Sequence, residues 1–284
     1  MTSTIVIYAD PTDPVVLAAQ HASVQTLHID ELIHFSSAQP WPEVFRMEIP
    51  ASVKQAVHGA PIVSRLFSLD RTAMGAMLQQ SGVDLRWLHI RLHPLLALGT
   101  SLVHDTGTRG VSRSLLPLNV QWFEIKRAMP AITTPEFAYS FGYESPDLSG
   151  LEEPMQKSVW SLFDWKQESQ LSEEERRRHQ FHVSAPKGVP IIFWFLGNED
   201  TGLVFPRGSA EIDQDLLLQI NAAARKAFCT ELGEILLYTH SNTLRFQAYS
   251  PFLRSAASAP QMKARMGAWL ATSPAPPGVT HAVV

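Results

Sequence analysis

A single cysteine, Cys229, is all the thiol chemistry this chain has. One thiol closes no intrachain disulfide, so the fold must rest on packing, and a reducing cytoplasm suits it. Cys229 falls inside the apolar helical pattern AAARKAFCTEL, where a small buried hydrophobe is the expected role and a nucleophile the alternative. An excess of positive charge is lacking too. Lys and Arg total 23 against 27 Asp and Glu, a net charge of −4, which argues against a general nucleic-acid binder. No window approaches the roughly 18 uninterrupted apolar residues of a membrane span. The start, MTSTIVIYAD, has no basic n-region, and Asp10 breaks its apolar run, unlike a secretory signal. There is no Gly-x-Ser-x-Gly elbow, no Cys-x-x-Cys and no dinucleotide fingerprint.

What is present is a globular composition. With 284 residues, 45% of them hydrophobic, the chain is long enough for two or three packed layers or small domains. TIVIY (4–8) is β-branched and reads as a strand. ADPTDP is a turn, and the run after it reads as a helix with Asp13 as N-cap and Pro14 at its first position. VQTLHI (24–29) is a second strand, which makes a βαβ start. VFRMEIP (44–50) and APIVSRLFSL (60–69) are further strand candidates. Helices are expected over DRTAMGAMLQQSG, with Gly82 as C-cap, and over DLRWLHIRLHPLLALGT (84–100). This first third reads as an open α/β layer.

The polar loop 104–114 follows, and then a helical period in LNVQWFEIKRAM (118–129) that Pro130 and Pro135 break. MQKSVWSLFDW (155–165) has strand-like composition. LSEEERRRHQFH carries a capping box, Ser172 to Glu175. VPIIFWFLG (189–197) is the strongest strand signal, with GLVFPRG as its antiparallel return. DQDLLLQINAAARKAFCTELG (213–233) is the clearest helix, with Leu217, Ile220, Ala224 and Phe228 on one face. EILLYTH and LRFQAYSPF form a last strand pair, APQMKARMGAWLAT a last helix, and 273–284 a Pro- and Ala-rich flexible tail.

Several clusters admit a metal or anion. His89 and His93 stand at i and i+4, but no Glu or Cys completes a motif. His179 and His182 follow a basic run whose simplest reading is a solvated face, as it is for EEERRR (173–178). TGTRGVSR (106–113) is too irregular for a P-loop and fits at most a loop lining an anion site.

The order of these pieces resembles the ATP-grasp superfamily, most clearly from about residue 100 onward. The resemblance implies an α/β and α+β protein: an N-terminal open α/β domain at 1–110, then an ATP-grasp-like lid and C-terminal region at 111–272. AITTP fills the place of the strand signature after the entry helix. EEPMQKSVW resembles the lid strand that carries a lysine to the nucleotide phosphates, which would be Lys157. LGEILLYTHSNTLRFQAYSPFL resembles the strand pair that brings two acidic ligands to magnesium. GAPIVSRLFSLD resembles a segment of members that modify peptides. The cofactors implied are ATP and magnesium, and the partner a peptide or small carboxylate, with a protein partner also in view and neither nucleic acid nor membrane.

The departures are concrete. The lid stretch SVWSLFDWKQ has no glycine to let backbone N–H groups wrap a phosphate. Trp160 and Trp165 stand there instead, either covering a planar ligand or filling the core. In the strand pair Glu234 is the first implied ligand, for nucleotide and metal alike. The second falls at Gln247, a neutral amide and a poor magnesium ligand. The Asn of the family's Glu-x-Asn falls at Tyr249, or at Ser250 if the register slips by one. Arg245 and Arg254 bring positive charge to the same strand and would hold substrate in catalysis. Two functions follow: a ligase acting through an acyl phosphate with a weakened metal site, or an inactive binding or scaffolding subunit.

Overall fold

The computed structural model describes residues 4–32, 49–67, 75–76, 80, 92–103, 116–140, 144, 146–159, 172–173, 180–198, 200–241, 243–259 and 261–272. In chain order its elements are β1 (Ile5–Tyr8), α1 (Pro14–His21), β2 (Gln25–His28), α2 (Ile29–Leu32), α3 (Ala51–Val57), β3 (Pro61–Arg65), β4 (Thr100–Val103), α4 (Leu118–Ala128), β5 (Phe137–Ser140) and β6 (Pro154–Gln156). They continue with β7 (Gln180–Ser184), β8 (Val189–Leu196), β9 (Asp200–Val204), α5 (Gln214–Phe228), β10 (Leu232–His240), β11 (Thr243–Ser250), a 3-10 turn (Ala256–Ser258) and α6 (Met262–Thr272). Backbone contacts group these into two units, Met1–Arg113 with Ala257–Val284, and Ser114–Ala256.

The first unit is a parallel sheet in the order β2-β1-β3-β4. Asp13 caps α1 as its sequence position predicts, Oδ1 accepting from Val15 N–H at 2.8 Å. All of β3 is buried, as expected of a parallel strand covered on both faces. Its last residue, Arg65, is buried as well. Nε and Nη2 donate to Asp13 Oδ2 at 3.0 and 2.6 Å, and the guanidinium lies 4.6 Å from the Phe67 ring centroid. Asp13 thus caps a helix and neutralises a buried cation at once. α6 packs on α1, and a Cβ added at Gly267 would come within 2.9 Å of Ala22 Cβ. The sequence placed 262–272 with the C-terminal region; that packing groups it with the first unit.

The second unit holds two antiparallel sheets, β5-β7-β6 and β11-β10-β8-β9. Leu217, Ile220, Ala224 and Phe228 form the buried face of α5. Phe228 stacks on Tyr249 of β11 at 4.5 Å and 9°. The buried residues of α4, Leu118, Trp122 and Ile125, join the same core, and Trp122 stacks on Phe181 of β7 at 5.8 Å. One apolar cluster therefore runs from the small sheet into the large one.

Several expectations are corrected. Residues 92–96 are helical, but the chain turns at 97–99, and Thr100, the last residue of the expected helix, opens strand β4 by pairing with Pro61 of β3. Ile49 and Pro50 are not strand, and Pro50 leads into α3. β6 ends at Gln156, earlier than the strand-like composition of 155–165. α5 ends at Phe228 instead of 233, because Cys229 adopts a left-handed turn (φ 49°). That turn also leaves Cys229 exposed, against the buried role expected of it. His89, Trp160, Trp165, the loop 106–113, 174–179 and the tail 273–284 lie outside the described residues, as do most of the helix expected at 70–82 and residues 44–48.

Candidate functional site

The final strand pair sets the geometry. β10 pairs β8 on one side and β11 on the other, which puts Trp194, Glu234 and Ser250 in one cross-strand row. Gly202 of β9 continues the row opposite Trp194, and a Cβ there would lie 2.4 Å from the indole, so only glycine admits the ring. Glu234 is 1% exposed. Its Oε2 accepts from Ala256 N–H at 2.8 Å and its Oε1 from Ser255 N–H at 3.4 Å. Burial raises the Glu234 pKa above the ordinary carboxylate range, partly countered by the hydrogen bonds from Ala256, Ser255 and Ser250. Glu234 is thus a buried carboxylate that fastens the chain just after β11.

Ser250 stands opposite Glu234, while Tyr249 turns into the core, 1% exposed, its hydroxyl 3.2 Å from both Leu232 O and Thr230 Oγ1. Ala248 pairs with Leu236 and Phe246 with Leu237, so Gln247 is the extra residue of a β-bulge. Its side chain is 0% exposed, and neither amide atom has a hydrogen-bond partner among the described residues.

The outer edge of β11 is closed by side chains the sequence did not single out. Gln121 accepts from Tyr249 N–H at 2.7 Å and donates to Tyr249 O at 3.2 Å; Trp122 Nε1 donates to Gln247 O at 2.8 Å. Phe246 N–H donates to Thr133 O at 2.9 Å, and Thr133 Oγ1 to Leu244 O at 3.2 Å. AITTP, noted for its place after the entry helix, therefore joins the sheet edge through Thr133, bridged to Arg245.

The basic candidates are dispersed. Arg245 is half-buried opposite Tyr238, four positions from Glu234 on β10, or about 13 Å at the usual strand rise. Arg254 is exposed, its guanidinium 5.3 Å from the Phe252 ring centroid. Lys157 is 4% exposed at the end of β6, its N–H bonded to Phe181 O at 2.8 Å.

Magnesium demands near-octahedral oxygen ligands, usually including a carboxylate or two. Both Glu234 oxygens are occupied by peptide N–H groups, Gln247 is a neutral amide, and a bulge separates it from the Glu234 row. No group of three or more His, Cys, Asp or Glu able to hold a metal occurs among the described residues. Among the described residues, those implied as ligands do not fit a magnesium site.

No protein-family model and no curated protein matches the chain. Solved structures do. The ATP-grasp ligase PsnB, complexed with precursor peptide PsnA2 and AMPPNP, superposes at a TM-score of 0.59 with 12% identity, over 95% of this chain and 97% of that one. The macrocyclase MdnC from Microcystis aeruginosa MRC, bound with precursor peptide MdnA, gives 0.58 with 11% identity, over 94% and 99%. A RimK domain ATP-grasp protein from Sphaerobacter thermophilus DSM 20745 gives 0.54 with 13% identity, over 95% and 99%. With near-complete coverage on both sides, the chain has the fold of the ATP-grasp ligases.

Proposed function

We propose that this chain is a binding protein built on the ATP-grasp ligase fold, which engages a peptide or small carboxylate and does not carry out magnesium-assisted acyl-phosphate chemistry. The observation that carries this reading is Glu234: the acid in the first metal position gives both oxygens to Ser255 and Ala256 N–H groups. With the Ser250 and Ser255 side chains also hydrogen-bonding it, this carboxylate keeps little acceptor capacity for a cation, and Gln247 offers no charge in compensation. The peptide part is supported by neighbours bound to precursor peptides. Lys157, matched to the lid lysine, is the residue assigned to nucleotide phosphate. A protein partner, a complete ligase above all, would supply the chemistry.

The rival is a ligase that turns over through an acyl phosphate, with Arg245 or Arg254 holding the substrate. Buried Lys157 at the end of a lid strand favours it. Calorimetry with Mg·ATP and with ATP plus EDTA, followed by ADP release in the presence of peptide, separates the two. The expected result is a nucleotide affinity indifferent to metal and no ADP. Metal-dependent binding with ADP release establishes the ligase instead. No heat with either form at millimolar nucleotide removes the nucleotide part of both readings.

A further inference from the structure

A cleft of about 420 Å³ opens at the hairpin end of β10 and β11, away from Glu234, lined by Glu211, Ile212, Asp213, Leu216, Thr239 and Leu244. Thr239 and Leu244 are paired neighbours across the hairpin, and the other four belong to the run-in and first turn of α5. Its volume falls in the range of about 300–1,000 Å³ typical of small-ligand sites. Ile212, Leu216 and Leu244 belong to or pack on the unit's main core, so the cleft floor is the helix–sheet core reaching the surface.

The rim is acidic. Glu211 and Asp213 are exposed, and no ion pair engages either carboxylate among the described residues. Asp213 uses Oδ1 to accept from Asp215 and Leu216 N–H at 2.9 and 3.3 Å. The helix N-terminus, which alone would attract an anion, is therefore already capped, and two negative groups stand over it. An apolar floor beneath an acidic rim matches one kind of occupant: an aliphatic stem ending in a cation.

We propose that this cleft binds a lysine or arginine side chain of a partner peptide. The methylene stem lies on Ile212, Leu216 and Leu244, the cationic head reaches Glu211 and Asp213, and the Thr239 hydroxyl accepts a further hydrogen bond. This goes beyond the nucleotide reading and does not depend on it.

The test is an NMR titration of the full chain with N-acetyl-lysine methylamide, and with its neutral counterpart N-acetyl-norleucine methylamide. The lysine probe should shift the amides of 211–216, 239 and 244 saturably, and bind more tightly than norleucine. The double variant Glu211→Gln, Asp213→Asn keeps a capping side chain at 213 and should weaken the lysine probe by about five- to tenfold, as expected for two partly screened charge contacts. Norleucine should bind that variant as it binds the parent. Equal binding of both probes, lysine binding unchanged in the double variant, or no shifts at millimolar probe overturns the proposal.

Discussion

The side-chain amide of Gln121 bonds both peptide groups of Tyr249, accepting from its N–H at 2.7 Å and donating to its carbonyl at 3.2 Å. A side chain of α4 thus stands in for a neighbouring strand along the edge of β11. The same amide donates to Leu116 O at 2.9 Å, so both of its atoms are used. Gln121→Met keeps the volume and removes the bonds. It should lower stability by about 2–3 kcal/mol in urea unfolding, the penalty of leaving buried peptide groups unpaired. Gln121→Glu should cost more, because it aims a buried charge at two carbonyl oxygens. Tyr249 N–H should lose hydrogen-exchange protection in Gln121→Met, whereas Gln121→Glu keeps an oxygen that accepts from it. If Gln121→Glu is the milder change, the carbonyl contacts do not form as described.

Glu234 makes stability depend on pH in a stated direction. Burial raises its pKa in the folded chain, so between the ordinary glutamate range and the raised value the native state holds a proton that the unfolded chain has lost. Stability from this group is therefore greatest at low pH and declines as pH rises through that window. Glu234→Gln removes the titration. The difference in unfolding free energy, parent minus variant, should fall as pH rises across the window and flatten above it. A difference that grows with pH would mean that the hydrogen bonds from Ser255 and Ala256 outweigh burial, the reverse of the direction stated.

Much of the architecture was legible because periodicity reports burial. The α5 stripe and β8 were readable for that reason, and Asp13 was readable as a cap because its side chain acts on its own helix. The partner of Asp13 was not: Arg65 lies 52 residues away, and only the pairing of β1 with β3 brings it close. Gln121 offered a faint signal, a polar residue on the apolar stripe between Leu118 and Ile125, where a buried amide must bond something fixed. The strand register could not be read, because the bulge at Gln247 shifts the parity on which face assignment depends. Glu234 was found by its place in a resemblance. That place implied a ligand, while the geometry gives its oxygens to the backbone.

Gln247 permits a direct test of the metal position. Gln247→Glu restores a carboxylate where the resemblance implies one, but in a fully buried side chain with no partner for either amide atom among the described residues. An uncompensated buried charge costs about 3–5 kcal/mol. The variant should unfold at correspondingly lower urea, with no recovery on adding magnesium and ATP. Recovery by magnesium would mean that a latent metal site exists and that one substitution had silenced it.

Lys157 carries the nucleotide assignment and is tested with its stem kept in place. Because the residue is 4% exposed, truncation to alanine would confound lost charge with lost packing. Lys157→Met retains most of the volume. A phosphate contact from an ammonium is a charge-assisted hydrogen bond worth about 1.5–3 kcal/mol, so ATP affinity by calorimetry should fall about ten- to hundredfold. The urea midpoint of Lys157→Met should stay close to the parent's, and binding of the lysine probe at the α5 cleft should not change. Unchanged ATP affinity in a folded Lys157→Met removes this residue from the site and leaves the nucleotide reading without its cation.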